Sequence, residues 1–317
     1  VSSPTLDRAA PRTRPLIPSV PVTATSSPPS PAPVPPKHPR VGVVVLTQSD
    51  RPELHDALAS VRSQRGVDAH LVLVVNGAPA PGTTTPDHLI ELPENVGIPA
   101  GRNIGAAAAR ADVVVFLDDD AELLGQDHLA SVLRRFDEDP GLGAMAIRIV
   151  DESGATQRRH VPRLGQGSAD RSGPVTHFIG AACAVRASAF NEIGGFDPRF
   201  FYSMEESDLA WRLQDRGWGV WYSADLAAFH PRTPASRHAR FTWFLARNRA
   251  WMAWRSLPLP LLVAHLVLWT GVCALRRHSL RDVLAGYREA WATRPARRPM
   301  RWRTIARMTR LGRPPVV

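Results

Sequence analysis

The sequence predicts an α/β fold: a mixed, mostly parallel sheet flanked by helices, followed by a C-terminal helical region suited to a membrane surface. Three observations predict it. Val113-Val114-Val115-Phe116-Leu117 runs straight into Asp118-Asp119-Asp120, the pattern of a strand buried on both faces whose carboxyl end meets solvent. Upstream, apolar runs of strand length alternate with helical periodicity, as at the start of a doubly wound sheet. Downstream the character changes: residues 41–275 carry a net charge of −4, whereas residues 1–40 carry +4 and residues 276–317 carry +10. The basicity therefore belongs to the ends and not to the fold.

Residues 1–40 are rich in Pro, Ser, Thr and Ala, without apolar periodicity and without the continuous apolar core of a signal peptide. We expect a disordered leader and no secretion. Order begins with the buried strand Val41–Thr47. Pro52 and Glu53 open a helix with Leu54, Leu58 and Val61 on its inner face. Strands are expected at 71–75, ending at Asn76-Gly77, and at 88–92. The run from Pro93 to Gly105 then sets Asn95, Gly97, Gly101, Arg102 and Asn103 at a helix entrance. Glycines admit close backbone approach, and a helix N-terminus beside an arginine suits a diphosphate.

After the three acids the pattern predicts a capped amphipathic helix over 127–139 and a strand over 143–150. A mobile loop or irregular hairpin follows at 151–174, then a strand at 176–185. Glu205-Glu206-Ser207-Asp208-Leu209 opens a helix that Gly217 ends. On it Glu205 and Asp208 share a face, Asp208 and Arg212 are spaced for an ion pair, and Glu206 points about 100° from Glu205. A short strand at 220–222 leads to Phe229-His230-Pro231. In open α/β sheets ligands bind beyond the carboxyl ends of the strands, so the three aspartates point to a hard divalent cation and a phosphate-bearing ligand. Cys183 and Cys273 lie far apart in apolar settings and read as buried free thiols in a reducing compartment.

In order and spacing these motifs resemble glycosyltransferase family 2, enzymes of the GT-A (Rossmann-like) fold that use nucleotide-diphosphate sugars. The resemblance covers roughly residues 41–250. It rests on Val43–Thr47, Asn95-Val96-Gly97, Gly101–Gly105, Leu117–Asp120, Gly194-Gly195-Phe196-Asp197, and Glu205–Leu209 with Arg212 and His230. The resemblance implies a donor site at Thr47, Asn76, Asn95, Gly97, Gly101, Arg102, Asn103, Asp118 and Asp119. It implies Mg²⁺ or Mn²⁺ held by Asp118 and Asp120 with His230 as a further ligand. It also implies Glu206 as the base that deprotonates an acceptor hydroxyl for an inverting single displacement. The sequence departs from the family in two places: the second strand ends Val75-Asn76-Gly77-Ala78, where Asp is usual before the Asn and Ser after the Gly, and Glu206 stands where Asp is more common. The choice of base stays open between Glu206, Glu205 and Asp208.

Three regions follow: a leader at 1–40, a catalytic domain at 41–237 and a helical, apolar then Arg-rich extension at 238–317. Residues 257–275 carry no formal charge. We expect a helix or re-entrant hairpin lying in the interface of an anionic membrane rather than a span, because spanning would export the basic tail. The expected partners are a nucleotide-diphosphate sugar, a glycan or polyprenyl-linked acceptor and the cytoplasmic membrane face. Sequence-specific nucleic acid is not expected. The rival readings are a nucleic-acid or anionic-membrane binding protein using its Arg-rich ends, and a nucleotidyltransferase; neither accounts for the acids at 205–208.

Overall fold

The computed structural model describes residues 39–82, 85–164, 169–232 and 239–317. Most of the expected leader, residues 1–38, lies outside the described residues, as do the central part of the 151–174 loop and the first residue of the C-terminal extension. In chain order the elements are β1 (Val41–Thr47), α1 (Pro52–Arg62), β2 (Ala69–Asn76), β3 (His88–Leu92), α2 (Ile98–Ala109), β4 (Val113–Asp118), β5 (Glu122–Leu123), α3 (His128–Glu138) and β6 (Leu142–Val150). There follow β7 (Gly173–Pro174), β8 (Ala182–Arg186), α4 (Ala187–Glu192), α5 (Glu205–Arg216), β9 (Gly219–Phe229), α6 (Phe241–Ser256), α7 (Leu259–Leu275), α8 (Leu280–Ala292) and α9 (Trp302–Arg310).

The sheet runs β3-β2-β1-β4-β8-β6-β9-β5, with β7 on β9. Its first half, β3 through β4, is wholly parallel, and β8, β5 and β7 run against the rest. Alternation along β1 shows why the strands are apolar throughout. Val41, Val43 and Val45 pack under α1 and α3, while Val44 faces the opposite layer with Phe116, Phe196 and Leu209. Both faces are covered, and the carboxyl ends of β1, β2, β4 and β9 open on the same side.

Three elements differ from the sequence expectation. The apolar run 176–185 forms a strand only from Ala182, because Ala181 gives its carbonyl to the Asp118 amide and the chain before it turns into the site. β9 has 11 residues rather than three; a register shift between Ile147 and Arg148 of β6 lets pairing resume across the polar Ser223–Asp225 stretch. Asp127 precedes α3, but its side chain makes no capping hydrogen bond.

α6 to α9 have their own apolar core, with Trp251, Met252, Leu257, Leu262, Met300 and Met308 packed around Trp211 of α5 and Phe200. Gly286 lets α8 approach α6 closely: a Cβ there would stand 2.7 Å from the Trp243 carbonyl. Among the described residues no helix is long and apolar enough to cross a membrane. α7, at 17 residues, reaches only about 26 Å against a ~30 Å hydrocarbon core.

Candidate active site

The sheet's carboxyl edge and the first turn of α5 enclose a cavity of about 560 Å³. Its walls include Asn76, Asn95, Gly97, Arg102, Asp118, Asp119, Asp120, Glu206 and His230. A larger cleft of about 680 Å³ lies between the later turns of α5 and residues 295–301. No group of acids and histidines with metal-ligand spacing adjoins that cleft among the described residues, so the chemistry belongs to the smaller one.

Asp118, Asp120 and His230 come from the ends of β4 and β9, and one ligand atom from each lies within 4.8 Å of the others. His230 Nε2 stands 3.3 Å from Asp120 and 3.9 Å from Asp118. The His230 Nδ1 is 2.9 Å from the Pro231 carbonyl, so it carries the hydrogen and leaves the Nε2 lone pair facing the two carboxylates. Two carboxylates and a correctly turned imidazole fit a divalent cation. The middle acid has a different task. Asp119 accepts from the Thr47 hydroxyl at 2.6 Å and from Arg51 at 2.5 Å. Burial raises its pKa, against the pull of Thr47 and Arg51.

Arg102 is buried on the far wall. Its guanidinium donates to Asp118 at 2.7 Å and to the Gly180 carbonyl at 3.0 Å, and stands 3.7 Å from both Glu205 and Glu206. Burial opposes its charge, but Asp118, Glu206 and Glu205 outweigh burial and hold it above the ordinary arginine value. Arg102 therefore lines the cavity and joins the metal-type cluster to the α5 acids.

The α5 acids separate by environment. Glu206 lines the cavity, and burial raises its pKa while Arg102 and the Gly180 amide hold it down. Glu205 is 2% exposed; burial and then the charge of Glu206 raise its pKa, and its Oε2 has no hydrogen-bond partner. Asp208 is fully buried and paired with Arg212 at 2.8 Å and with Arg255. Neither Glu205 nor Asp208 lines the cavity: Asp208 is an ion-pair hub, and Glu205 lies behind Glu206.

Of the other expected donor residues, Asn76, Asn95 and Gly97 line the cavity, while Thr47, Gly101 and Asn103 stand behind it. Asn103 clasps the Phe196 backbone from both sides, donating to its carbonyl at 2.8 Å and accepting from its amide at 2.9 Å. Gly101 packs on Leu46. Neither lines the cavity, and Thr47 reaches it only through Asp119. Asn76 does line it and ties β2 to the next loop, donating to Asn95 at 3.1 Å and accepting from the Val96 amide at 2.9 Å. Gly97, at φ +84°, lies so close to Phe201 that a Cβ would meet its backbone at 2.7 Å.

Three contributors escaped the sequence reading. His160 lines the cavity with its ring 6.0 Å from that of His230, and burial lowers its pKa to about 4. Arg51 holds Asp119. Gly180 has no room for a side chain between Glu206 and Arg102. Only the Gly180 position had a signal, a glycine interrupting an apolar run.

Residues 42–194 match the model of Glycosyl transferase family 2. A pre-mycofactocin glycosyltransferase of Mycobacterium tuberculosis is 30% identical over 198 residues, covering 57% of this chain and 40% of that protein. The N-acetylglucosaminyl-diphospho-decaprenol L-rhamnosyltransferase of the same organism is 28% identical over 294 residues, covering 74% of this chain and 91% of its own length. The chain thus spans 40% of the length of the first of these relatives. A mannosyltransferase from Pyrobaculum calidifontis, solved with GDP-Man and Mn²⁺, superposes with TM-score 0.55 at 21% identity over 88% of this chain and 86% of that one. S. aureus TarS gives 0.54 at 15% identity over 72% and 43%. These likenesses are of fold, and the fold is GT-A. The matched sequence span takes in the parallel half of the sheet and the three aspartates, so it is through its sheet and acidic strand end that this chain matches Glycosyl transferase family 2.

Proposed function

We propose that the chain is an inverting, metal-assisted glycosyltransferase. It moves a sugar from a nucleotide-diphosphate donor to a glycan or lipid-linked acceptor of the cell envelope, at the cytoplasmic membrane face. One observation carries the reading: Glu206 and the Asp118–Asp120–His230 cluster line the same cavity, with Arg102 ion-paired to both sides. That juxtaposition is what a displacement needs, with charge stabilisation at the leaving group and a base at the nucleophile. The named relatives, a rhamnosyltransferase with a diphospho-decaprenol acceptor among them, support the acceptor class. Residues 41–237 form the catalytic part in this reading and 238–317 the membrane-facing part.

Asp118 and Asp120 with His230 would hold Mg²⁺ or Mn²⁺, which when bound neutralises charge on a departing nucleoside diphosphate. The remaining work falls to the chain. Glu206, ionised, takes the proton from the acceptor hydroxyl as its oxygen attacks the anomeric carbon from the face opposite the leaving group. The bond to the diphosphate oxygen breaks as the new glycosidic bond forms, so the configuration inverts. Arg102 keeps Glu206 ionised and in place, and Thr47 and Arg51 fix Asp119 so that its two neighbours face the cavity.

Turnover of UDP-, GDP- and dTDP-sugars with and without Mn²⁺ tests this, comparing wild type with Asp120→Ala. Metal-dependent release of a nucleoside diphosphate, lost in the variant, is expected. Release of pyrophosphate instead would make it a nucleotidyltransferase, and absence of any donor binding across the panel would overturn the enzyme reading.

A further inference from the structure

Arg249 of α6 has an environment unlike that of other buried arginines in the molecule. It is 9% exposed, yet its guanidinium meets no carboxylate among the described residues. Its neighbours are the face of Trp269, 3.5 Å from the ring centroid, and the Met204 sulfur at 3.6 Å. Arg102, by comparison, pairs with acids, and Arg247 donates to the Arg199 and Phe200 carbonyls. Burial lowers its pKa to about 10; Cys273 and Tyr287 work against that, and the charges of Arg313 and Arg276 add to it. A stacked indole offsets only part of what it costs to take a guanidinium out of water without a counter-charge.

The wall beside it is also unsatisfied. The Trp269 Nε1–H is buried without an acceptor, and His265 Nε2 is buried without a hydrogen-bond partner; the two rings lie 6.2 Å apart on the inner side of α7. His265 turns its Nδ1 to the Val316 carbonyl at 3.2 Å, which fixes its place between α7 and the end of the chain. An indole N–H without an acceptor beside a guanidinium without a counter-ion lacks the same thing, an anion rich in acceptor oxygens.

We propose that Arg249 and the Trp269 indole N–H, flanked by Arg276 and Arg313, form a binding site for a phosphate group. The phosphate belongs either to a lipid headgroup or to a free phosphate or diphosphate, and both present the same oxygens. The site goes beyond the transferase reading and does not rest on it. It adjoins the catalytic part through Met204, the residue before Glu205.

The test uses the full chain in EDTA at constant ionic strength. Thermal unfolding is followed with inorganic phosphate and with pyrophosphate, and flotation with phosphatidylcholine vesicles with and without phosphatidylglycerol. Wild type, Arg249→Met and Asp120→Asn are compared. Met preserves the stem that packs on Trp269 and removes the buried charge, so the variant should fold at least as stably as wild type without anion. The expected result is a phosphate- or pyrophosphate-dependent rise in midpoint, or phosphatidylglycerol-dependent flotation, in wild type and Asp120→Asn. In Arg249→Met the response should weaken by about tenfold or more, the scale of a lost hydrogen bond to a charged group. A response to vesicles alone assigns the site to a lipid headgroup, and one to soluble anions assigns it to free phosphate. No response in wild type, an equal response in Arg249→Met, or a response lost only in Asp120→Asn would overturn the proposal; the last would place the anion in the donor cavity.

Discussion

Glu206 and Asp208 are two residues apart on α5 and meet opposite environments. Glu206 faces the cavity with a raised pKa, so its protonated form persists above the ordinary 4.5 of a glutamate. A base works only when ionised, and the acid limb of kcat should therefore lie above that value and vanish in Glu206→Gln. That substitution should lower kcat by about 10²–10⁴-fold while leaving donor binding in place; an unchanged limb in the variant would remove Glu206 from the chemistry. Asp208→Asn should act on stability instead, by about 3–5 kcal/mol, because it leaves Arg212 and Arg255 buried beside a neutral amide. Chemical denaturation of that variant measures this. Gly180→Ala offers a third contrast, since its Cβ would collide with the Glu206 carboxylate and the Arg102 guanidinium. It should cost activity more than stability, read as kcat against the unfolding midpoint. The sequence made the acids legible as candidates, because three aspartates at a strand's end and a Glu-Glu pair at a helix start are local patterns. It could not rank Glu205, Glu206 and Asp208, because the ranking depends on Arg102, 104 residues from Glu206, and on Arg255, 47 residues from Asp208.

At the scale of elements, the turn from Phe200 to Met204 is where the structure stores strain. Phe201, Ser203 and Met204 have φ of 61°, 72° and 73° without being glycine, a conformation that costs on the order of 1–3 kcal/mol per residue. α6 holds it. Asn248 Nδ2 lies within hydrogen-bond distance of the carbonyls of Phe200, Tyr202 and Ser203 at 2.8–2.9 Å, and Arg247 donates to those of Arg199 and Phe200. The strained turn delivers Glu205 and Glu206 to the site, so a helix from the C-terminal region sets the position of the proposed base. Asn248→Ala should lower kcat by about tenfold or more with a smaller change in the donor KM, since the turn relaxes once its carbonyls lose their partner. Unaltered kcat in the folded variant would show that the turn keeps its shape unaided. None of this is written in local periodicity. The Arg247-Asn248-Arg249 run is visible in the sequence as a polar interruption of an aromatic helix, but its targets lie about 45 residues upstream and are backbone carbonyls, which carry no sequence signature. The strands β1 and β4 are the opposite case, legible almost to the residue because each is a continuous apolar run that ends at polar residues.

At the scale of the whole molecule, the distribution of apolar surface on the C-terminal helices is inverted. α7 buries His265 on its inner side while Leu259, Val263, Val267 and Leu275 are 60–85% exposed on its outer side. Leu280, Leu284 and Trp291 on α8 extend the same character, and Arg276, Arg277, Arg281, Arg288 and Arg294, all exposed, stand in the same helices and the turns that follow them. A helix with a polar residue inward and an uncharged outer stripe is stable in water only at the expense of that stripe, and arginines around it complement anionic headgroups. We therefore predict that the chain binds phosphatidylglycerol vesicles peripherally and that Val263→Asp/Val267→Asp abolishes flotation. Exposed substitutions of this kind should shift stability by no more than about 0.5 kcal/mol. Arg276→Gln/Arg277→Gln should weaken binding by about 1 kcal/mol per charge, roughly fivefold each, and the wild-type affinity should fall with salt. The same aspartates converting a dimer into a monomer, with no vesicle binding in either form, would instead assign the stripe to a second copy of the chain.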